Sequence, residues 1–269
     1  MKKNEDSRLE RVVVCAPKQE YFNSGEDPTR YNFNETAYKK TAVQQHKNLR
    51  TAMEDFGVEV NNIEEMPGHP HSIFTRDMAV STAEGYIKVR MRMGPRRGEE
   101  DWMAKFLDGR GEPCVVEIKE PGTVEGSDVL IVGSVAFVGI TQRTNVDGVI
   151  QISDILKILG YEVRPVVLPS YYSHLDQVIG ILSPERVICR AHLFPYDYFR
   201  GFEVSNINGR NHNVNLICLG EDKIIASASN PELIFAVEEA GVEVNVLDLS
   251  ELIKGAAGPN GLIMPIKHG

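Results

Sequence analysis

Three short segments place carboxylates and an imidazole where the chain turns. Phe74-Thr75-Arg76-Asp77 follows the Pro/His-rich stretch Pro67-Gly68-His69-Pro70-His71 and precedes an apolar run, which puts Asp77 at the entry to a strand. Glu125-Gly126-Ser127-Asp128 leads into Val129-Leu130-Ile131-Val132, and Gly126 lets backbone approach a ligand closely. His174-Leu175-Asp176 follows Pro169-Ser170-Tyr171-Tyr172. In an extended segment, side chains two apart share a side, so His174 and Asp176 are predicted to face the same way. Each residue alone reads as a turn acid, a cap or a core histidine. Together they suit a planar guanidinium, because carboxylates accept its N–H groups in pairs and an imidazole beside them can move a proton.

Composition limits the partners. The 269 residues, 42% apolar, carry a formal charge of −9, and nucleic-acid binding would need clustered Lys and Arg that this balance lacks. The short basic cluster Arg90, Arg92, Arg96, Arg97 reads either as a solvated loop or as a grip for one small anionic group. The N-terminal residues are charged, and no apolar run approaches the roughly 20 residues of a membrane span. A cytoplasmic protein with no membrane partner is expected. Cys15, Cys114, Cys189 and Cys218 lie singly, without zinc-site spacing, and read as buried free thiols. His69 and His71 lack partner ligands and read as a polar loop, so neither a metal nor a cofactor is expected. Tyr171, Tyr172, Tyr196, Tyr198 and Phe199 read mostly as packing residues.

The elements that must position these side chains recur along the chain. Three helix exits share one pattern, Phe56-Gly57-Val58-Glu59-Val60, Leu159-Gly160-Tyr161-Glu162-Val163 and Ala240-Gly241-Val242-Glu243-Val244. Before each glycine, apolar residues fall at helical spacing: Leu49, Met53 and Phe56; Ile152, Leu156 and Leu159; Leu233, Val237 and Ala240. The glycine suits the left-handed position after a helix, and a strand begins next. Between these units lie strand-like runs at residues 11–14, 129–132, 136–139 and 187–189. Copies spaced by roughly one or two multiples of about 50 residues predict repeated β-β-α-β modules, an α/β repeat or radial architecture. No linker or low-complexity tract divides the chain, so residues 1–269 are expected to form one domain.

The order of these segments, with Thr141-Gln142-Arg143-Thr144-Asn145 and the closing Gly258-Pro259-Asn260-Gly261-Leu262-Ile263-Met264-Pro265, resembles the guanidino-group modifying enzymes. The chain looks most like the dimethylarginine dimethylaminohydrolase and arginine deiminase branch, with amidinotransferases more distant. The resemblance implies a fivefold pseudosymmetric α/β-propeller and a citrulline-forming hydrolase acting on arginine or a methylated arginine. It implies that Asp77 and Asp176 hold the guanidinium, that His174 shuttles protons, and that Glu125 orients His174. It further implies that Arg143 meets the substrate carboxylate, assisted by a member of the basic cluster such as Arg90 or Arg97. The family's nucleophilic cysteine falls on Gly261, and no cysteine follows Cys218. Impaired turnover is therefore expected, and a noncatalytic binder of an arginine-like ligand or a propeller scaffold stays open as an alternative. The expected partner is a small guanidino ligand, with self-association left open.

Overall fold

The computed structural model describes residues 7–23, 31–208 and 213–268. Their strands form five three-stranded sheets of one design, in which a central strand pairs antiparallel with one neighbour and parallel with the other. The first sheet contains β1 (Leu9–Cys15) and β2 (Glu59–Ile63). The second contains β3 (Ala79–Thr82), β4 (Gly85–Lys88) and β5 (Cys114–Glu117). The third contains β6 (Val129–Val132), β7 (Val135–Ile140) and β8 (Glu162–Val167). The fourth contains β9 (Ile179–Ser183), β10 (Arg186–Cys189) and β11 (Glu203–Asn206). The fifth contains β12 (Ile217–Gly220), β13 (Lys223–Ser227) and β14 (Glu243–Leu247).

The last strand, β15 (Met264–His268), returns to the first sheet. It pairs antiparallel with β1, placing Val12 opposite Pro265 and Val13 opposite Met264. Chain start and chain end thus share one sheet, and the segment just before β15 is carried to the same place as the turn before β3.

Each parallel pair needs a crossover, because strands running the same way cannot be joined by a tight hairpin. α1 (Gln19–Asn23) and α2 (Lys39–Asp55) lie in the first crossover, α3 (Glu99–Asp108) in the second, α4 (Val146–Ile158) in the third and α5 (Pro231–Glu239) in the fifth. The fourth crossover departs from the expected unit: residues 190–202 form turns, with a short 3-10 turn at Ala191–Leu193 and no α-helix. Sequence supplies the starts of two helices. Asn145 caps α4 by accepting from the Gly148 N–H at 2.8 Å, and Asn230 caps α5 by accepting from the Leu233 N–H at 3.2 Å, with Pro231 opening the helix. The repeated exits end as predicted, with Gly57, Gly160 and Gly241 at φ of 93°, 83° and 74° before β2, β8 and β14.

The cores lie between neighbouring sheets and under the helices. One joins the first sheet and α2 to β12 and β13, and three others fill the spaces between successive later sheets. Leu49, Met53, Ile152, Leu156, Leu233 and Val237 are fully buried on the helix faces that periodicity predicted. The cysteines are all free, but only Cys15 and Cys189 are buried; Cys114 is exposed and Cys218 half-buried, a correction to the uniform expectation. Tyr198 and Phe199 pack as expected, whereas Tyr171 and Tyr196 are exposed. No helix among the described residues is long and apolar enough to cross a membrane.

Candidate active site

Because every sheet is entered in the same direction, the turns before the first strands gather at one end. Four of these entries are 3-10 turns: Thr75–Met78 before β3, Gly126–Asp128 before β6, Leu175–Gln177 before β9 and Pro259–Leu262 before β15. They pack against one another and surround a cavity of about 480 Å³, counting its open side. Asp77, Arg143, His174, Asp176 and Gly261 all line it, with Arg96, His71 and Ser127. Glu125 lies immediately behind, fully buried.

Two carboxylates bracket the imidazole. His174 Nε2 is 3.2 Å from Glu125 Oε2, and His174 Nδ1 is 3.6 Å from Asp77 Oδ1. His174 and Asp176 do not share a side through strand alternation as expected, since residues 175–177 form a 3-10 turn and only His174 is extended; both nevertheless line the cavity. Burial pushes the His174 pKa down to about 4, with Asp77 opposing and Arg143 and Arg96 adding to the depression, so the ring is neutral near pH 7. Burial and the nearby Asp77 charge raise Glu125. Asp77 goes the other way: burial would raise it, but the Arg96 guanidinium and His174 outweigh that and hold its carboxyl well below the usual range. Asp77 Oδ1 and Glu125 Oε2 are buried oxygens with no hydrogen-bond partner among the described residues. Buried acceptors of this kind are costly unless a donor arrives.

Asp128 is withdrawn from the cavity and organises it. Its Oδ2 accepts from Thr144 Oγ1 at 2.6 Å and Thr141 Oγ1 at 2.9 Å, and its Oδ1 accepts from the Leu175 N–H at 2.9 Å. One carboxyl thus fixes both the turn carrying Arg143, between β7 and α4, and the turn carrying His174 and Asp176. On the far wall, Asn260 Nδ2 donates to Asp176 Oδ2 at 3.1 Å, while the Asn260 N–H donates to Asn215 Oδ1 at 2.6 Å. Burial, with Asp77 adding, raises Asp176 to about 7.

The glycines of the closing segment are not equivalent. A Cβ on Gly258 would lie 2.3–2.5 Å from the Asn215 side chain, and one on Gly255 would lie 2.4 Å from the Phe74 ring. At Gly261 the nearest atoms would be Ala257 Cβ at 3.1 Å and Phe74 Cδ1 at 3.8 Å, so a small side chain fits with a slight shift. Gly258→Ala is accordingly expected to destabilise by about 1–3 kcal/mol through overpacking, while Gly261→Ala stays within about 1 kcal/mol, as denaturant midpoints would report.

The basic cluster departs furthest from expectation. Neither Arg90 nor Arg97 lines the cavity: Arg90 pairs with Glu120 and donates to the Gly122 carbonyl at 3.2 Å, and Arg97 is exposed. Arg96 reaches inward instead, bonded to Asp77, to Glu99 Oε2 at 2.8 Å and to the Phe74 carbonyl at 3.1 Å. The signal was present in the sequence. Val89 and Met91 are buried and Arg90 and Arg92 alternate with them, facing outward, until Gly94-Pro95 starts a turn that redirects Arg96. His71 was also misread, since it is 4% exposed rather than part of a polar loop. Asp77, Glu125 and His174 place ligand atoms within 4.8 Å of one another, a spacing a divalent ion could use. One of the two Asp77 oxygens, Oδ2, is already bonded to Arg96.

Residues 17–230 match the family described as N,N dimethylarginine dimethylhydrolase, eukaryotic. An uncharacterized Bacillus subtilis (strain 168) protein, YkgA, is 26% identical over 275 residues, covering 99% of this chain and 95% of its own length. The N(G),N(G)-dimethylarginine dimethylaminohydrolase of Pseudomonas aeruginosa is 27% identical over 218 residues, 79% of this chain and 84% of that protein. A solved structure of a mutant of that organism's enzyme, complexed with citrulline, superposes with a TM-score of 0.84 at 22% identity, covering 96% of this chain and 99% of the other. Its fold is that of the five-unit α/β-propeller expected from the sequence. With the match running through most of its length, the chain belongs to the N,N dimethylarginine dimethylhydrolase family, within the guanidino-modifying α/β-propeller (pentein) superfamily.

Proposed function

We propose that this chain holds an arginine-like guanidino ligand in the cavity and that Gly261 occupies the position of the family's nucleophile, so that turnover is impaired while binding is kept. The observation that carries this reading is the buried Asp77 Oδ1, an acceptor with no hydrogen-bond partner among the described residues, beside His174 on a cavity wall shared with Asp176 and Gly261. A guanidinium supplies the missing donor. In this reading Asp77 and Asp176 take the guanidinium N–H groups, Glu125 orients His174, and neutral His174 is available to accept a proton. Arg143 meets an anionic group at the ligand's far end, joined by Arg96 rather than Arg90 or Arg97. A site abandoned to a scaffold role has no reason to keep a buried acceptor open at this cost. The reading also includes one domain spanning 1–269, since the site draws on turns from residue 77 to residue 261, and a cytoplasmic protein whose partner is a small molecule.

The pH dependence tests it. Asp176 is protonated in the free site below about pH 7 and must ionise to hold a guanidinium. Affinity for agmatine or arginine is expected to rise about tenfold from pH 6 to pH 8, with proton release on binding. Calorimetry in buffers of different ionisation enthalpy measures both, and Asp176→Asn should remove both. An affinity flat between pH 6 and 8, or no guanidine binding at all, contradicts the reading. In the ligand-free protein the sign is opposite: the raised Asp176 and Glu99 favour the fold most below about pH 4, and that contribution is lost as pH rises through about 7.

A further inference from the structure

His71 is a second cavity-lining group whose hydrogen-bonding capacity is not filled. Its ring is 4.8 Å from Phe33 and 6.0 Å from Phe74, and its Nδ1 is buried with no hydrogen-bond partner among the described residues. The other ring nitrogen donates to the Tyr31 carbonyl, which fixes the proton there and leaves Nδ1 as a lone-pair acceptor. Burial, reinforced by Arg96 and Arg143, holds the ring neutral. Arg143 for its part carries a buried Nη1 with no hydrogen-bond partner among the described residues. The cavity therefore offers cationic donors for a carboxylate and, close enough to be influenced by them, one neutral acceptor for an N–H.

A free amino acid brings an ammonium as well as a carboxylate. Placed at His71, that ammonium would lie close to two fixed guanidinium charges and opposite an imidazole that cannot compensate it. The acids lining the cavity among the described residues, Asp77 and Asp176, are committed to the guanidinium in the reading above, on which this inference rests. An amide N–H suits the position better, because it donates without carrying charge. Space for the group attached to that nitrogen is also present. A wider polar depression, about 1110 Å³ counting the open solvent above it, adjoins the cavity, shares Ser173, Gln177 and Ala257 with it, and includes Asn213 and Lys254.

We infer that the preferred ligand is an arginine whose α-nitrogen is acylated, its amide N–H accepted by His71 Nδ1, its carboxylate held by Arg143 and its acyl group lying in the adjoining depression. Calorimetry on the full chain at pH 8 with Nα-acetylarginine, arginine and agmatine tests this. Nα-acetylarginine is expected to bind at least about tenfold more tightly than arginine. His71→Asp should reverse the order by providing a charge for the ammonium, while His71→Asn, a neutral acceptor, should retain the native order. Arginine binding as tightly as Nα-acetylarginine to the native chain overturns the inference whatever the variants do, and so does an order unchanged in a folded His71→Asp protein. If agmatine binds and neither arginine derivative does, the inference fails and the guanidine site stands; if none binds, both fall.

Discussion

Replacing Gly261 by cysteine is expected to raise citrulline formation from arginine or a methylated arginine by about three orders of magnitude or more over the native chain. The backbone at 261 is outside the left-handed region, and a Cβ there meets only Ala257 at 3.1 Å and Phe74 at 3.8 Å. None of the four native cysteines lines the cavity, so no existing thiol can substitute. In the variant, the sulfur bonds to the guanidinium carbon, the C–N bond to the amine breaks with a proton delivered through His174, and water then displaces sulfur to leave the ureido product. Asp77 and Asp176 hold the cation beside the new thiol and favour its ionised form only through that bound charge, so reactivity should depend on ligand occupancy. Product quantification for the native, Gly261→Cys and Gly261→Ala chains checks this. Robust turnover by the native chain, or an inert but folded and ligand-binding cysteine variant, contradicts the assignment of position 261.

Asp77→Ala is expected to cost about 3–5 kcal/mol of stability and to abolish guanidine binding. Arg96 is 3% exposed and bonded to Asp77, Glu99 and the Phe74 carbonyl; truncating Asp77 leaves a buried guanidinium short of one of its two bonded carboxylates. Glu99 remains as the other carboxylate bonded to Arg96, itself fully buried. A melting temperature lower by roughly 10 °C follows for a chain of this size. The contrast is Glu120→Ala, which removes the exposed partner of Arg90 and should change stability by no more than about 0.5 kcal/mol. Equal, small shifts in the two melts would mean that the Asp77–Arg96 pair is not fixing this wall.

Local rules made the repeat legible and long-range ones hid part of the site. The exits at Gly57, Gly160 and Gly241 are set by helical spacing and a left-handed glycine, both readable within a dozen residues, and they repeat because the sheets repeat. Asp77, Glu125 and His174 stood out as candidates because acids and an imidazole lie at strand entries, and the structure brings the three side chains together. Arg96 and His71 were harder, since being buried depended on what the rest of the chain places over them: Asp77 and Glu99 for the one, Phe33, Phe74 and Tyr31 for the other. The part played by Asp128 was hidden for a related reason. Its company of Thr141, Thr144 and the Leu175 N–H comes from two later segments, and only the fold shows that it organises the cavity wall and faces away from the ligand space. The helix missing from the fourth crossover gave no warning, because residues 190–202 carry aromatic residues that pack as turns over Phe137.

The most direct test is a crystal structure of the native chain with Nα-acetylarginine or agmatine at saturating concentration. The guanidinium is predicted to lie between Asp77 and Asp176, donating to Asp77 Oδ1, with its central carbon over the Cα of Gly261 and His174 alongside. A ligand bound elsewhere, or a guanidinium in the cavity whose carbon is turned away from Gly261, would contradict the account.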